Sequence, residues 1–124
     1  MEKIILTKPD DWHLHIREGV VMKSVVGMSA LQMARAVIMP NLSPPITNVK
    51  QAKKYHNQIT KALPKGSKFS PLMALYLTDR TNKSEIIEAS NAREVYAVKL
   101  YPAGATTNSA CSEKIDSSAL TTSI

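Results

Sequence analysis

The sequence predicts an α/β protein in which parallel strands alternate with crossover helices. Three observations predict it. Short runs dense in apolar residues alternate with longer segments of helical spacing, in the order β-α-β-α-β-α-β. Prolines, glycines and helix-capping residues fall between the segments. The chain has 124 residues, of which 44% are hydrophobic and 21% charged, which allows one domain with a sizeable core. A closed eight-stranded barrel takes roughly 250 residues. Three strand–helix units therefore suit an open sheet or about half of a barrel.

Residues 3–7 (KIILT) read as a short strand ended by Lys8, Pro9 and Asp10, and residues 11–16 (DWHLHI) as a second. A helix is expected from Gly19 to about Leu31, although Gly27 in its middle weakens it. Residues 36–39 (AVIM) form a strand stopped by Pro40. Residues 41–46 (NLSPPI) must be a loop, because two adjacent prolines fit neither regular element. Thr47 or Asn48 caps a helix running to about Leu63, stopped by Pro64 and Gly66. Within residues 69–77 (FSPLMALYL), Pro71 moves the expected strand start to Leu72. Asn82 or Thr81 caps a helix from Lys83 to about Arg93, with Glu85 and Glu88 near its positive end. Residues 96–101 (YAVKLY) form a last strand, stopped by Pro102. From Gly104 to Ile124 the chain is rich in Ser, Thr and Ala and shows neither period.

The net charge is +6, and no acidic residue lies between Glu18 and Asp79, where eight basic residues occur. A nucleic-acid surface is one reading. At 100° per residue, however, Lys50, Lys54 and Lys61 share one stripe while Ala52, Tyr55, Ile59 and Ala62 cluster opposite, as on a helix lying over a core. No aromatic sits among these lysines in a stacking pattern, so no nucleic-acid partner is expected. No run of about 18 uncharged apolar residues occurs, and the first six residues are too short for a secretory signal, so no membrane partner is expected. The single Cys111 excludes an internal disulfide and fits a reducing cytoplasm; with no histidine or basic residue beside it, it is assigned no nucleophilic role. Neither GxGxxG nor GxxxxGK[ST] is present.

Asp11, His13, His15 and Arg17 alternate along one strand, so they are expected on one face, with Trp12, Leu14 and Ile16 toward the covering helices. Two imidazoles side by side can bind one divalent metal, zinc most readily. The competing reading is a solvated histidine pair on an edge strand. Lys99 is a single charge near the end of an apolar strand. Either its amine reaches water at the strand tip, or it is desolvated and open to covalent chemistry such as addition of carbon dioxide to give a carbamate. Asn41 follows a strand end, where α/β proteins place their ligand sites, or is simply a turn residue. His56, at the edge of the apolar side of its helix, reads as structural.

Three blocks then carry a family likeness: residues 9–19 (PDDWHLHIREG), 37–45 (VIMPNLSPP) and 99–109 (KLYPAGATTNS), with 71–73 (PLM) and 76–79 (YLTD) between them. The sequence resembles the dihydroorotases of the bacterial and yeast type, in the amidohydrolase superfamily, over about residues 3 to 109. The first block is shared with other amidohydrolases, and the other two are more specific. The resemblance implies the N-terminal half of a (β/α)8 TIM-type barrel, incomplete, with about four parallel strands and crossover helices. It makes residues 1–124 one partial barrel domain with a divergent tail from 110 to 124. It implies a zinc-dependent cyclic amide hydrolase that interconverts N-carbamoyl-L-aspartate and L-dihydroorotate in pyrimidine synthesis.

By resemblance His13 and His15 are metal ligands, with His15 also at the substrate, and Lys99 is a carboxylated lysine bridging two zinc ions. Arg17 and Asn41 resemble the pair that holds the substrate carboxylate, Arg17 by a two-pronged contact. The family is often dimeric. Its further histidines and catalytic aspartate come from strands five to eight. Here no histidine follows His56, and Asp116 is the only aspartate after Lys99. Glu18 stands where Asp is commoner. The expectation is therefore an N-terminal portion, inactive alone. The alternatives are a non-catalytic metal-binding or interaction fragment and a hydantoinase-like amidohydrolase; the block from Lys99 to Ser109 argues against the latter.

Overall fold

A computed structural model describes residues 2–102. Part of the third family block, Ala103 to Ser109, lies outside the described residues, as do Cys111 and Asp116. Seven elements follow one another: β1 (Asp10–Leu14), α1 (Gly19–Gln32), β2 (Arg35–Ile38), α2 (Val49–Ala62), β3 (Ser70–Tyr76), α3 (Lys83–Asn91) and β4 (Val95–Lys99). The strands form one parallel sheet in the order β1-β2-β3-β4, so every neighbour in space is a neighbour in sequence. That is the connectivity of consecutive barrel units.

The helices cover one face of the sheet. Ala36, Ile38, Met73 and Leu75 point into that layer and meet Val26 of α1 and Ala52, Tyr55 and Ile59 of α2, all buried. On α2 the lysine stripe stays outside, as the periodicity predicts. Gly27 has a packing reason: a Cβ there would stand 3.3 Å from the Pro64 ring, so its absence lets α1 approach the chain leaving α2. Asn48 and Asn82 cap α2 and α3 by accepting from the Gln51 and Glu85 amides, each at 2.9 Å. Val37, Met39, Leu72 and Ala74 form a smaller apolar cluster on the opposite face, the side that a closed barrel would enclose.

Four expectations need correction. Residues 3–7 are no strand: Ile4, Ile5 and Leu6 are more than four-fifths exposed and find no neighbouring strand, and β-propensity without a partner makes no ladder. β3 begins at Ser70, not Leu72. Ser70 N–H bonds toward β2 (Ala34 O, 3.0 Å), and the first bond toward β4 is Met73 N–H to Glu94 O (2.8 Å). The missing donor of Pro71 thus falls before β4 starts, where it costs nothing. The first strand ends at Leu14, which leaves His15 and Arg17 beyond it, and a register shift between Asp11 and Leu14 breaks the strict alternation. As a result Asp11 pairs with Ala36 in the ladder, and Trp12 does not face the helices. It is 69% exposed and borders the open-face hollow with Val37, Met39 and Leu72.

Candidate functional site

The site is built at the C-terminal ends of the strands. Beyond Leu14 the chain turns sharply, with Arg17 and Gly19 both at φ 58°. Arg17 is a non-glycine residue held in the left-handed region, and the Tyr55 hydroxyl, from α2, donates to its carbonyl oxygen. Burial raises the Tyr55 pKa well above the ordinary phenol value and keeps that hydroxyl a donor. The Arg17 side chain lies within electrostatic reach of His15, and its Nη1 is buried with no hydrogen-bond partner among the described residues.

His13 and His15 come together despite the interrupted alternation. Their Nε2 atoms lie 3.2 Å apart, with ring centroids at 5.1 Å. Asp11 does not join them. Its Oδ1 accepts from the His13 backbone N–H at 2.8 Å and so fixes the bend in the strand. The His15 pKa is lowered, first by burial and then by the positive charges of Lys99, Arg17 and His13. The four basic groups therefore share one electrostatic neighbourhood, which favours the neutral form of His15, the form in which imidazole binds metals.

Lys99 is buried at the end of β4, and its Nζ donates to Asn41 Oδ1 at 2.8 Å. The amine also sits 5.0 Å from the centre of the Tyr101 ring. Burial lowers its pKa. Asn41, 1% exposed, belongs to a loop tied down by Ile46 N–H to Pro40 O (3.1 Å) and Tyr76 N–H to Ile46 O (2.7 Å). Lys99 is thus a buried amine, and Asn41 is a buried residue just past the end of β2. His56 lies half-buried on α2, as its structural reading expects.

Among the described residues no three His, Cys, Asp or Glu side chains cluster as a metal cage would. The available donors are the two imidazoles and the lysine nitrogen. Two bonds from one tetrahedral zinc ion to imidazole nitrogens span about 3.3 Å between the nitrogens. The 3.2 Å separation fits one ion held by both rings. Tyr76 and Tyr55 were not singled out from the sequence as site residues. Tyr55 reads there as part of an apolar helix face and Tyr76 as part of a strand and of the 76–79 likeness, and only the fold shows that the Tyr55 hydroxyl meets Arg17.

No family model matches the chain. It is 55% identical over 109 residues to a dihydroorotase of Synechocystis, covering 88% of this chain and 32% of that protein. A mitochondrial dihydroorotase of rice is 53% identical over 109 residues, 27% of its length. Among solved structures, a dihydroorotase from Saccharomyces cerevisiae in complex with 5-fluoroorotic acid superposes with a TM-score of 0.76 at 36% identity, over 85% of this chain and 28% of that one. A dihydroorotase from Campylobacter jejuni gives 0.74 at 40% identity, over 82% and 29%. The chain thus spans about a third of the length of the curated relatives it matches. No helix among the described residues is long and apolar enough to cross a membrane. In sequence the chain matches about the first third of dihydroorotases, and its four parallel strands and crossover helices match the N-terminal part of their barrels.

Proposed function

We propose that the chain contributes the first half of a dihydroorotase site, which hydrolyses the ring amide of L-dihydroorotate to N-carbamoyl-L-aspartate and runs the reverse closure in pyrimidine biosynthesis. The carrying observation is the meeting of Lys99 with Asn41 at 2.8 Å within electrostatic reach of His15. In this reading His13 and His15 hold zinc, which supplies a Lewis acid and lowers the pKa of water. Neutral His15 offers its ring nitrogen without first losing a proton.

Lys99 acts through its uncharged form. The Nζ lone pair adds to carbon dioxide, an N–C bond forms, one C=O pair moves onto oxygen, and one N–H proton leaves to solvent. The carbamate so formed is an anionic oxygen ligand, and its remaining N–H can keep the bond to Asn41. Arg17 grips the substrate carboxylate. Its buried Nη1 lacks an acceptor among the described residues, and a carboxylate satisfies it by a charge-assisted bond. Asn41, held by Lys99, orients the same group.

Zinc content after metal loading, read on the purified chain and on His13→Ala and His15→Ala, tests the metal assignment. Zinc retained at micromolar metal by the chain and lost in both variants is expected; no zinc in the chain overturns it. Dihydroorotate hydrolysis is then measured with the chain alone and with the remaining two-thirds of a relative added. Absence of hydrolysis in both overturns the activity. A non-catalytic metal-binding fragment is the second reading, supported by the His13 and His15 pair taken alone; zinc without hydrolysis would select it.

A further inference from the structure

Tyr76 is 1% exposed, yet its hydroxyl has no hydrogen-bond partner among the described residues. A buried hydroxyl without a partner is destabilising, and the site that contains one lacks an acceptor. The sheet register says which site that is. Tyr76 is paired with Lys99 across β3 and β4. Ile38 pairs with Met73 across β2 and β3, and three residues further along each chain stand Asn41 and Tyr76. Tyr76 and Lys99 thus lie side by side at the strand ends, and Asn41 follows the end of the strand on the other side of β3. Leu75 packs into the helix layer and Ala74 onto the open face, so the alternation turns Tyr76 to the open face with Lys99.

The Lys99–Asn41 bond spans from β4 to the chain beyond β2, across the strand that carries Tyr76. Two neighbouring strand spacings come to roughly 9.6 Å, so the two side chains lean toward one another to meet. The Tyr76 hydroxyl is buried and bonds to neither Lys99 nor Asn41.

We propose that Tyr76 is a positioning residue for Lys99, its hydroxyl donating to a carbamate oxygen once Lys99 has added carbon dioxide. The proposal rests on the carbamate reading of Lys99 given above and adds the group that holds the new anion in place. The addition turns a nitrogen donor with no oxygen into a planar group with two acceptor oxygens, so the acceptor that Tyr76 lacks is created by the reaction itself. A phenol bonded to a carboxylate-like oxygen makes a short, charge-assisted contact and fixes the plane of the carbamate.

The test is carbon-13 NMR of the full chain, zinc-loaded and titrated with labelled bicarbonate, for wild type and Tyr76→Phe, with thermal melts of both without zinc and bicarbonate. Expected is a carbamate signal in wild type and about tenfold more bicarbonate for half-occupancy in Tyr76→Phe. Without zinc and bicarbonate, Tyr76→Phe should melt at the wild-type temperature or above it, because it removes an unpartnered buried hydroxyl. A merely structural tyrosine would lower the melting temperature and leave the titration unchanged. Equal bicarbonate titrations in the two proteins overturn the proposal, with the carbamate reading intact. No carbamate signal in wild type overturns the carbamate reading, and the role of Tyr76 with it.

Discussion

Removing the acceptor of a buried amine should cost more than removing the amine and acceptor together. Asn41→Leu leaves Lys99 Nζ, on a residue 9% exposed, without the oxygen it now reaches at 2.8 Å. Stranding a buried polar group of this kind costs about 1–3 kcal/mol. At about 2.1 cal/mol/K per residue, a chain of 124 residues loses roughly 4 °C of Tm for each kcal/mol, so the variant should melt about 4–12 °C lower. Lys99→Met removes the amine and keeps an unbranched stem in the same space. Once it is in place, the second change from Asn41 to Leu should cost less, because no amine is left to strand. Asn41 has a further interaction, but it is lost both in Asn41→Leu and in the double variant, so it cancels in the cycle. Urea unfolding of the four proteins measures the coupling, with about 1–2 kcal/mol expected. Single effects that add to within about 0.5 kcal/mol would refute the claim that the two side chains depend on one another.

The Lys99 pKa is lowered by burial, so between that lowered value and 10.5 the unfolded chain holds a proton that the native chain has shed. Stability should therefore rise with pH through this window in wild type relative to Lys99→Met, read from urea midpoints at several pH values; the opposing titration of Tyr55 is present in both proteins and cancels. His15, also lowered, has the same sign in acid: stability should fall as pH drops below 6.5, and less so in His15→Asn. Tyr55→Phe, which frees the carbonyl of a left-handed Arg17, should cost about 1 kcal/mol, or roughly 4 °C of Tm, and a variant as stable as wild type would show that this bond does not hold the turn. Trp12 and Tyr96 are 69% and 65% exposed beside the open-face hollow. Trp12→Lys with Tyr96→Lys should slow the growth of light scattering at 37 °C without lowering the Tm, and unchanged scattering would clear this face as the route of aggregation.

Much of the fold was legible from local chemistry. The caps at Asn48 and Asn82, the proline loop after residue 40 and the apolar stripe on α2 are each decided within a few residues, so their elements appear where the periodicity places them. The site was legible in a different way. His13, His15, Arg17, Asn41 and Lys99 stand out because each is a polar or charged residue at the end of an apolar run, and α/β topology brings all such ends to one rim.

What failed to read out depended on partners distant in sequence. KIILT has strand propensity but no strand beside it, and only the sheet could reveal that. Pro71 was tolerable inside β3 because β4 starts later, a fact about another strand's length. The shift in β1 set Trp12 outward and parted Asp11 from the histidines, since register belongs to a pair of strands and not to one. Tyr76 was one residue of an expected strand until the register paired it with Lys99. The sequence by itself determined the order of elements and the chemical groups at their ends. Tertiary structure alone decided which of those groups lose their water and which meet, because desolvation and hydrogen-bond partnership arise only when separate segments pack.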